Sequence, residues 1–364
     1  MRNILFWGLA LSSALYYSST SFAKELAVSP QIVNGNDASI ANYPSYARLV
    51  AWIDKNDNSY TYRKYCGASI IDAQYILTAA HCVYIKNTVG EIDILFTYVY
   101  PQLLNESESN LQSTSTSKIR VSEVFIHSGY DSSTFLNDVA VLKLDSPLTY
   151  FPLVGNYIAN FPAINDDAAS SGGYRETGHK NNFTAVGHGN SSTGIDDTDT
   201  LQFANLTYVP NYLCNYKDRT DKNLCMEGDI SFSASAMESL EAGTCQGDSG
   251  GPLYWDDSGT QKLVGVTSFG PATKCGEPSI SHGATSVFSE VLDFTSWIND
   301  AVNGSVPATY VFTEAERQSY RDGNYTYKYT SPNHIQSSST SGGGTTPLWA
   351  LISLAGLVFV RKKN

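Results

Sequence analysis

Hydrophobic residues in this chain come in short runs separated by clusters of Gly, Pro, Asn and Asp. YARLVAW (46–52), SIIDAQYILTAA (69–80), VAVLKL (139–144) and KLVGVTSF (262–269) are alternating or nearly continuous apolar stretches of strand length. Many such runs between turn residues predict an all-β barrel or sandwich. VLDFTSWINDAV (Val291–Val302) differs, because its apolar residues recur at helical spacing and predict one closing helix. No fixed-period repeat is visible. Two polar stretches, 103–117 and 166–182, read as exposed loops.

The pattern changes at both ends. Met1–Ala23 places Arg2 before the apolar run ILFWGLALSSALYY and closes on small residues, which predicts a secretory signal peptide. Residues 304–336 are polar and Tyr-rich, and form either an extension packed on the main domain or a stalk. Residues 337–346 (SSSTSGGGTT) predict a flexible linker. The last segment, 347–364, is an apolar run ending in Arg361, Lys362 and Lys363. As a helix, Pro347–Val360 would span about 21 Å, short of the ~30 Å hydrocarbon core. The tail resembles the GlyGly-type sorting tails of Gram-negative bacteria, which a rhomboid-like protease cuts at the glycines. That resemblance implies a secreted or cell-surface protein with at most transient membrane attachment; a permanent anchor is the alternative.

Composition narrows the class. Apolar content of 42% and charged content of 16% fit a globular protein. A net charge of −12 argues against nucleic acid as a partner, since phosphate binding needs a basic patch. The six cysteines include no C-x-x-C pair, so disulfides in an oxidising compartment are expected rather than a zinc or redox motif.

The candidate chemistry lies in three motifs. GDSGGP (247–252) sets Ser249 among glycines, which let the backbone approach a substrate and aim N–H groups at a developing oxyanion. A serine hydroxyl needs an adjacent base and a third group to orient that base. LTAAHC supplies His81 and NDVAVLKL supplies Asp138.

With IVNG (32–35), SFG (268–270) and FTSWI (294–298), these motifs make the chain resemble the trypsin/chymotrypsin-like serine proteases from Ile32 to Val302. The resemblance implies two six-stranded antiparallel β-barrels with a C-terminal helix, in a protease domain over 32–303. It implies His81 as general base and then acid, Asp138 as the group that orients it, and Ser249 as nucleophile. The N–H groups of Gly247 and Ser249 would form the oxyanion hole. The cysteines would pair as Cys66–Cys82, Cys214–Cys225 and Cys245–Cys275. Substrates would be proteins or peptides, and neither cofactor nor metal is implied.

The resemblance also implies a zymogen. An activating protease would remove the propeptide 24–31, and the freed Ile32 amine would pair with Asp248. Gln31 precedes the cut, where relatives activated by tryptic cleavage carry Arg or Lys. Gly243, Ser268, Gly270 and Ser286 would line the specificity pocket. Trypsin-like members have Asp at the position of Gly243, so a neutral aromatic or large apolar side chain is expected before the scissile bond. Glu238 and Glu241 stand close enough in sequence to restore some basic preference. His127, His179, His188, His282 and His334 lack metal spacing and read as surface or loop residues. Glu91 and Asp93 lie near where some relatives bind calcium. A catalytically inactive homologue serving as a cell-surface binding module is the alternative function.

Overall fold

The computed structural model describes residues 32–54, 59–169, 172–176, 183–271, 273–278 and 283–330, and the backbone of a short strand at Phe359–Lys362. The signal peptide, the propeptide, the 337–346 linker and the rest of the tail lie outside the described residues. So do His179, His282 and His334. Among the described residues no helix is long and apolar enough to cross a membrane.

Two six-stranded antiparallel barrels form the body. The first comprises β1 (Tyr46–Asp54), β2 (Ser59–Ile70), β3 (Tyr75–Thr78), β4 (Thr97–Pro101), β5 (Ile119–Ile126) and β6 (Ala140–Leu144). The second comprises β7 (Phe183–Gly187), β8 (Gln202–Val209), β9 (Asn223–Gly228), β10 (Pro252–Asp257), β11 (Thr260–Phe269) and β12 (Ser286–Glu290). Around the first barrel the order is β1-β2-β3-β6-β5-β4, and around the second it is the equivalent β7-β8-β9-β12-β11-β10. Pairings β4–β1 and β10–β7 complete the circuits, so neither barrel leaves an open edge within its ring.

The runs in the sequence become the barrel interiors. Leu49, Ile70, Leu77, Val99, Val121 and Leu142 fill the first, and Phe183, Leu206, Leu224, Leu253, Val264 and Phe288 the second. The predicted helix forms over its expected span as α1 (Val291–Val302). Its buried residues Val291, Phe294, Ile298 and Ala301 share one face and join the core of the first barrel.

Both stretches read as exposed loops are partly internal. Residues 103–117 contain a short helix, Glu108–Gln112, and bury Leu103, Glu106 and Leu111. Leu111 packs with Trp52, Tyr60, Tyr62 and Tyr100, an aromatic cluster on the first barrel that needs cover. In the 166–182 stretch Tyr174 is fully buried and donates its hydroxyl to Glu290 at 2.6 Å.

Residues 304–330 pack against the first barrel. Tyr310–Val311 adds a short strand to β5, opposite Val124 and Glu123. The helix α2 (Glu314–Arg321) follows, started by a capping box between Thr313 and Glu316. Arg317 is buried and donates to the carbonyls of Leu95 at 2.8 Å and Val121 at 2.6 Å. In return, Glu91 on the helix Thr88–Leu95 is fully buried under the extension. Its carboxylate accepts from Tyr325 Oη (2.9 Å), Lys328 N (2.7 Å), Tyr329 N (3.1 Å) and Thr330 Oγ1 (3.3 Å). Asp93 pairs with Arg63 at 2.7 Å. The two acids weighed as calcium ligands are thus engaged by protein groups.

Glu91→Ala would leave these donors without their acceptor. We expect a loss of about 1–3 kcal/mol of stability, and much faster amide exchange at Lys328 and Tyr329. Exchange at those amides as slow as in wild type would show that Glu91 does not hold the extension.

Candidate active site

His81 sits in a short helix, Ala80–Val83, immediately after β3. The Cys66–Cys82 disulfide ties that helix to β2. Asp138 enters just before β6 and has no exposed surface. The turn leading to it uses left-handed residues Phe135 (φ 58°) and Asn137 (φ 51°), and Asn137 Nδ2 donates to the Gly129 carbonyl at 2.7 Å. This conformation aims the Asp138 carboxylate at His81. One oxygen accepts the His81 backbone N–H at 2.8 Å, and the other lies 2.7 Å from His81 Nδ1. That second oxygen also accepts the Ser268 hydroxyl at 2.5 Å. A carboxylate there fixes the imidazole proton on Nδ1 and leaves Nε2 as the basic nitrogen. The ring of Phe135 meets His81 edge-on at 5.5 Å.

The loop that carries Ser249 comes from the second barrel. Gly247 (φ 103°) and Gly250 (φ 77°) adopt conformations that L side chains avoid. A Cβ on Gly250 would fall 2.6 Å from Gly67 O and 3.1 Å from Ala79 N, so the loop lies against the segment that leads to His81. Its carbonyls are held from the first barrel: Gly67 N donates to Ser249 O at 2.8 Å, and Arg48 Nη1 to Gly247 O at 2.6 Å. The N–H groups of Gly247 and Ser249 donate to no acceptor among the described residues. No hydrogen bond joins Ser249 Oγ to His81, and catalytic hydrogen bonds of this kind often tighten only around a bound substrate.

Asp248 points inward and is buried. It accepts from Gly189 N at 2.7 Å and Cys245 N at 2.9 Å. Burial pushes its pKa up to about 7, against the lowering effects of those two bonds and of Arg48. Ile32 is fully buried beside the same segment, its N–H donating to Gly189 O at 3.2 Å. Ile32 and Asp248 therefore share Gly189 as a neighbour. Val33 forms an antiparallel bridge with Gly243, with reciprocal bonds of 3.0 and 3.2 Å.

Gly243, Ser286 and Gly270 come together around Thr285. A Cβ on Gly243 would lie 2.9 Å from Ser286 Oγ and 3.0 Å from Thr285 Oγ1, and one on Gly270 would lie 3.0 Å from Thr285 O. Ser286 Oγ accepts the Thr244 N–H at 2.9 Å. Ser268 turns its hydroxyl to Asp138. Glu241 is held behind Thr285, accepting from Thr285 Oγ1 and Gly228 N at 3.1 Å each, and burial raises its pKa. Glu238 pairs with Lys274.

Thr285, Arg48 and Glu106 are site residues that the sequence motifs did not single out. Arg48 carried a signal, as the one charge in the otherwise apolar run YARLVAW. His188 lies in the loop that follows β7, within the surface-or-loop expectation, but not on the surface. It is buried with Nδ1 2.8 Å from Tyr46 Oη, and burial holds its pKa well below the ordinary value. The three disulfides form as Cys66–Cys82, Cys214–Cys225 and Cys245–Cys275.

Comparison with known proteins adds an independent observation. A family model described as Trypsin matches residues 32–298. Trypsin-1 of Astacus astacus is 28% identical over 267 residues, covering 73% of this chain and 98% of its own length. CLIP domain-containing serine protease B4 of Anopheles gambiae is 26% identical over 282 residues, covering 75% of this chain and 70% of its own length.

The raised Asp248 pKa has a definite sign in stability. The fold retains this proton at a pH where the unfolded chain, with a value near 3.8, has released it. The contribution is complete below the unfolded value and is lost as pH rises to about 7. For chain still carrying the residues before Ile32, the urea midpoint should drop more between pH 5 and pH 7 in wild type than in Asp248→Asn. Equal drops would show that Asp248 does not titrate in that window.

Proposed function

This chain belongs to the trypsin family and is a serine endopeptidase, and on that premise we propose that Ser249, His81 and Asp138 carry its chemistry. The observation that supports this most is the buried Asp138 carboxylate oriented on His81 Nδ1, with the nucleophile loop packed beside it. His81 Nε2 takes the proton from Ser249 Oγ as the oxygen attacks the peptide carbonyl. The Gly247 and Ser249 N–H groups receive the oxyanion; losing one such donor costs about 10²–10³ in rate. The protonated His81 then gives its proton to the departing amine, leaving an acyl group on Ser249. Water, deprotonated by His81, completes hydrolysis. No cofactor enters these steps.

The residue before the scissile bond is a neutral aromatic or large apolar side chain. Gly243 brings no charge to the floor, and the hydroxyls of Ser286 and Thr285 beside it are neutral. Glu241 and Glu238 are occupied by Thr285, Gly228 and Lys274, which weakens the case for basic specificity.

The enzyme is made as a zymogen, activated by cleavage of the Gln31–Ile32 bond by another protease. Ile32 carries φ 72°, costly for a β-branched residue, and cleavage abolishes that torsion. The new ammonium group would give buried Asp248 a direct ion-pair partner. Export through the N-terminal segment, with sorting of the GlyGly-type tail by a rhomboid-like protease at a Gram-negative cell surface, completes the proposal. The three disulfides fit an oxidising compartment.

Mature enzyme beginning at Ile32 should incorporate an organophosphonate at Ser249 and cleave Phe- or Leu-terminated chromogenic peptides well ahead of Arg-terminated ones. Ser249→Ala should lose the label and at least about 10⁴-fold in kcat. An unlabelled wild type would favour the inactive binding module, and cleavage of the Arg peptide alone would overturn the neutral pocket. Separately, a precursor made uncleavable at Gln31–Ile32 should fall far below the mature enzyme in kcat; equal activity would refute the zymogen.

A further inference from the structure

Arg48 occupies the middle of β1, in the run YARLVAW, where its neighbours are apolar and buried. Its side chain is 3% exposed and contacts two different things at once. Nε donates to Glu106 Oε2 at 2.7 Å, and Nη1 donates to the Gly247 carbonyl at 2.6 Å. Glu106 is itself buried and receives Lys64 Nζ at 3.0 Å. It comes from the 103–117 segment, which is tied to the second barrel: Glu106 N donates to Asp199 O and Leu201 N to Leu104 O, each at 2.8 Å. The pair is thus braced from both barrels.

The Gly247 carbonyl belongs to the peptide between Gly247 and Asp248. On the opposite side of that plane, Asp248 N donates to Cys245 O at 3.1 Å. A planar peptide held at both its C=O and its N–H has one orientation. Of the two carbonyls that follow, Asp248 O accepts Gly251 N at 2.8 Å, and Ser249 O is held by Gly67, the residue paired with Arg48 across β1 and β2. The N–H groups of Gly247 and Ser249, which have no acceptor among the described residues, flank this fixed plane.

We propose that Arg48, braced by Glu106, is a positioning residue for the oxyanion site, setting the Gly247–Asp248 peptide so that the flanking N–H groups converge on the cleft. This rests on the assignment of Gly247 and Ser249 as oxyanion donors. Arginine is required because its planar fork reaches a carboxylate through Nε and a carbonyl through Nη1 together, whereas a lysine ammonium is a single point. A charged donor also makes the bond to the carbonyl stronger than a neutral one would.

Arg48→Lys and the double variant Arg48→Met/Glu106→Leu test this; the second replaces the buried pair by apolar groups, a change that commonly preserves the fold. In both, kcat should fall roughly 10- to 100-fold, a fraction of the loss of a whole donor. Affinity for a peptide aldehyde, whose adduct places an oxyanion in the site, should fall by the same factor. KM should stay within about 3-fold, the pattern of an interaction made only in the transition state. Arg63→Gln, which breaks the enclosed Arg63–Asp93 pair elsewhere in the first barrel, should lower Tm and leave kcat and aldehyde affinity unchanged. If either Arg48 variant keeps wild-type kcat and aldehyde affinity, or loses kcat without losing aldehyde affinity, Arg48 is not a positioning residue. A wild-type enzyme that neither takes an organophosphonate at Ser249 nor binds the aldehyde would overturn the underlying assignment, and this one with it.

Discussion

Asp248 places a carboxyl group in the interior directly next to Ser249, and most of the site is organised around satisfying it. Burying a carboxyl group without hydrogen-bond partners is costly, so its oxygens must find donors. They find the backbone N–H groups of Gly189 and Cys245, from two separate segments. Side chains at positions 187 and 189 would overlap the carboxylate, which is why both are glycine. Through these bonds the loop acquires its shape, the Ile32 segment acquires a seat on Gly189, and Val33 is set against Gly243. One buried group thus connects the start of the domain, the candidate nucleophile and the floor of the candidate pocket.

The site is divided between two self-contained barrels. His81 and Asp138 come from the first, and Ser249 with its glycines from the second. Since each barrel closes on itself, the ladders cannot align the two halves. That role falls to groups crossing the seam: Gly67 and Arg48 on the loop carbonyls, Ser268 on Asp138, and the hydroxyl of Ser289 on the Asp138 carbonyl at 3.0 Å. The crossing contacts are polar and directional, so they set orientation where apolar packing at the seam would only set proximity.

The barrel architecture and the closing helix were legible because each depends on local periodicity. VLDFTSWINDAV carries its buried face at fixed intervals, and YARLVAW or KLVGVTSF have few alternatives to an interior strand. The segments that carry His81, Asp138 and Ser249 were legible as a candidate site because they are short motifs whose local conformation the neighbouring residues determine. What escaped were features made by distant pairing. Residues 103–117 are polar in sequence, yet Leu111 covers an aromatic cluster and Glu106 answers a cation 58 positions away. His188 stands between glycines in a loop, as its sequence allows, but its burial against Tyr46 of the other barrel is not written in that run. Burial of a polar side chain depends on its partner, and no local pattern names that partner.

The extension bears on time as well as on shape. The first barrel is built from the earliest part of the domain, yet the donors that satisfy Glu91 lie at residues 325–330, and Arg317 caps carbonyls from Leu95 and Val121. Until those late residues arrive, the acid keeps its hydration and that flank of the barrel stays unfinished. For a chain emerging from its N-terminus, the first barrel therefore waits for these partners until the extension beyond α1 has been made.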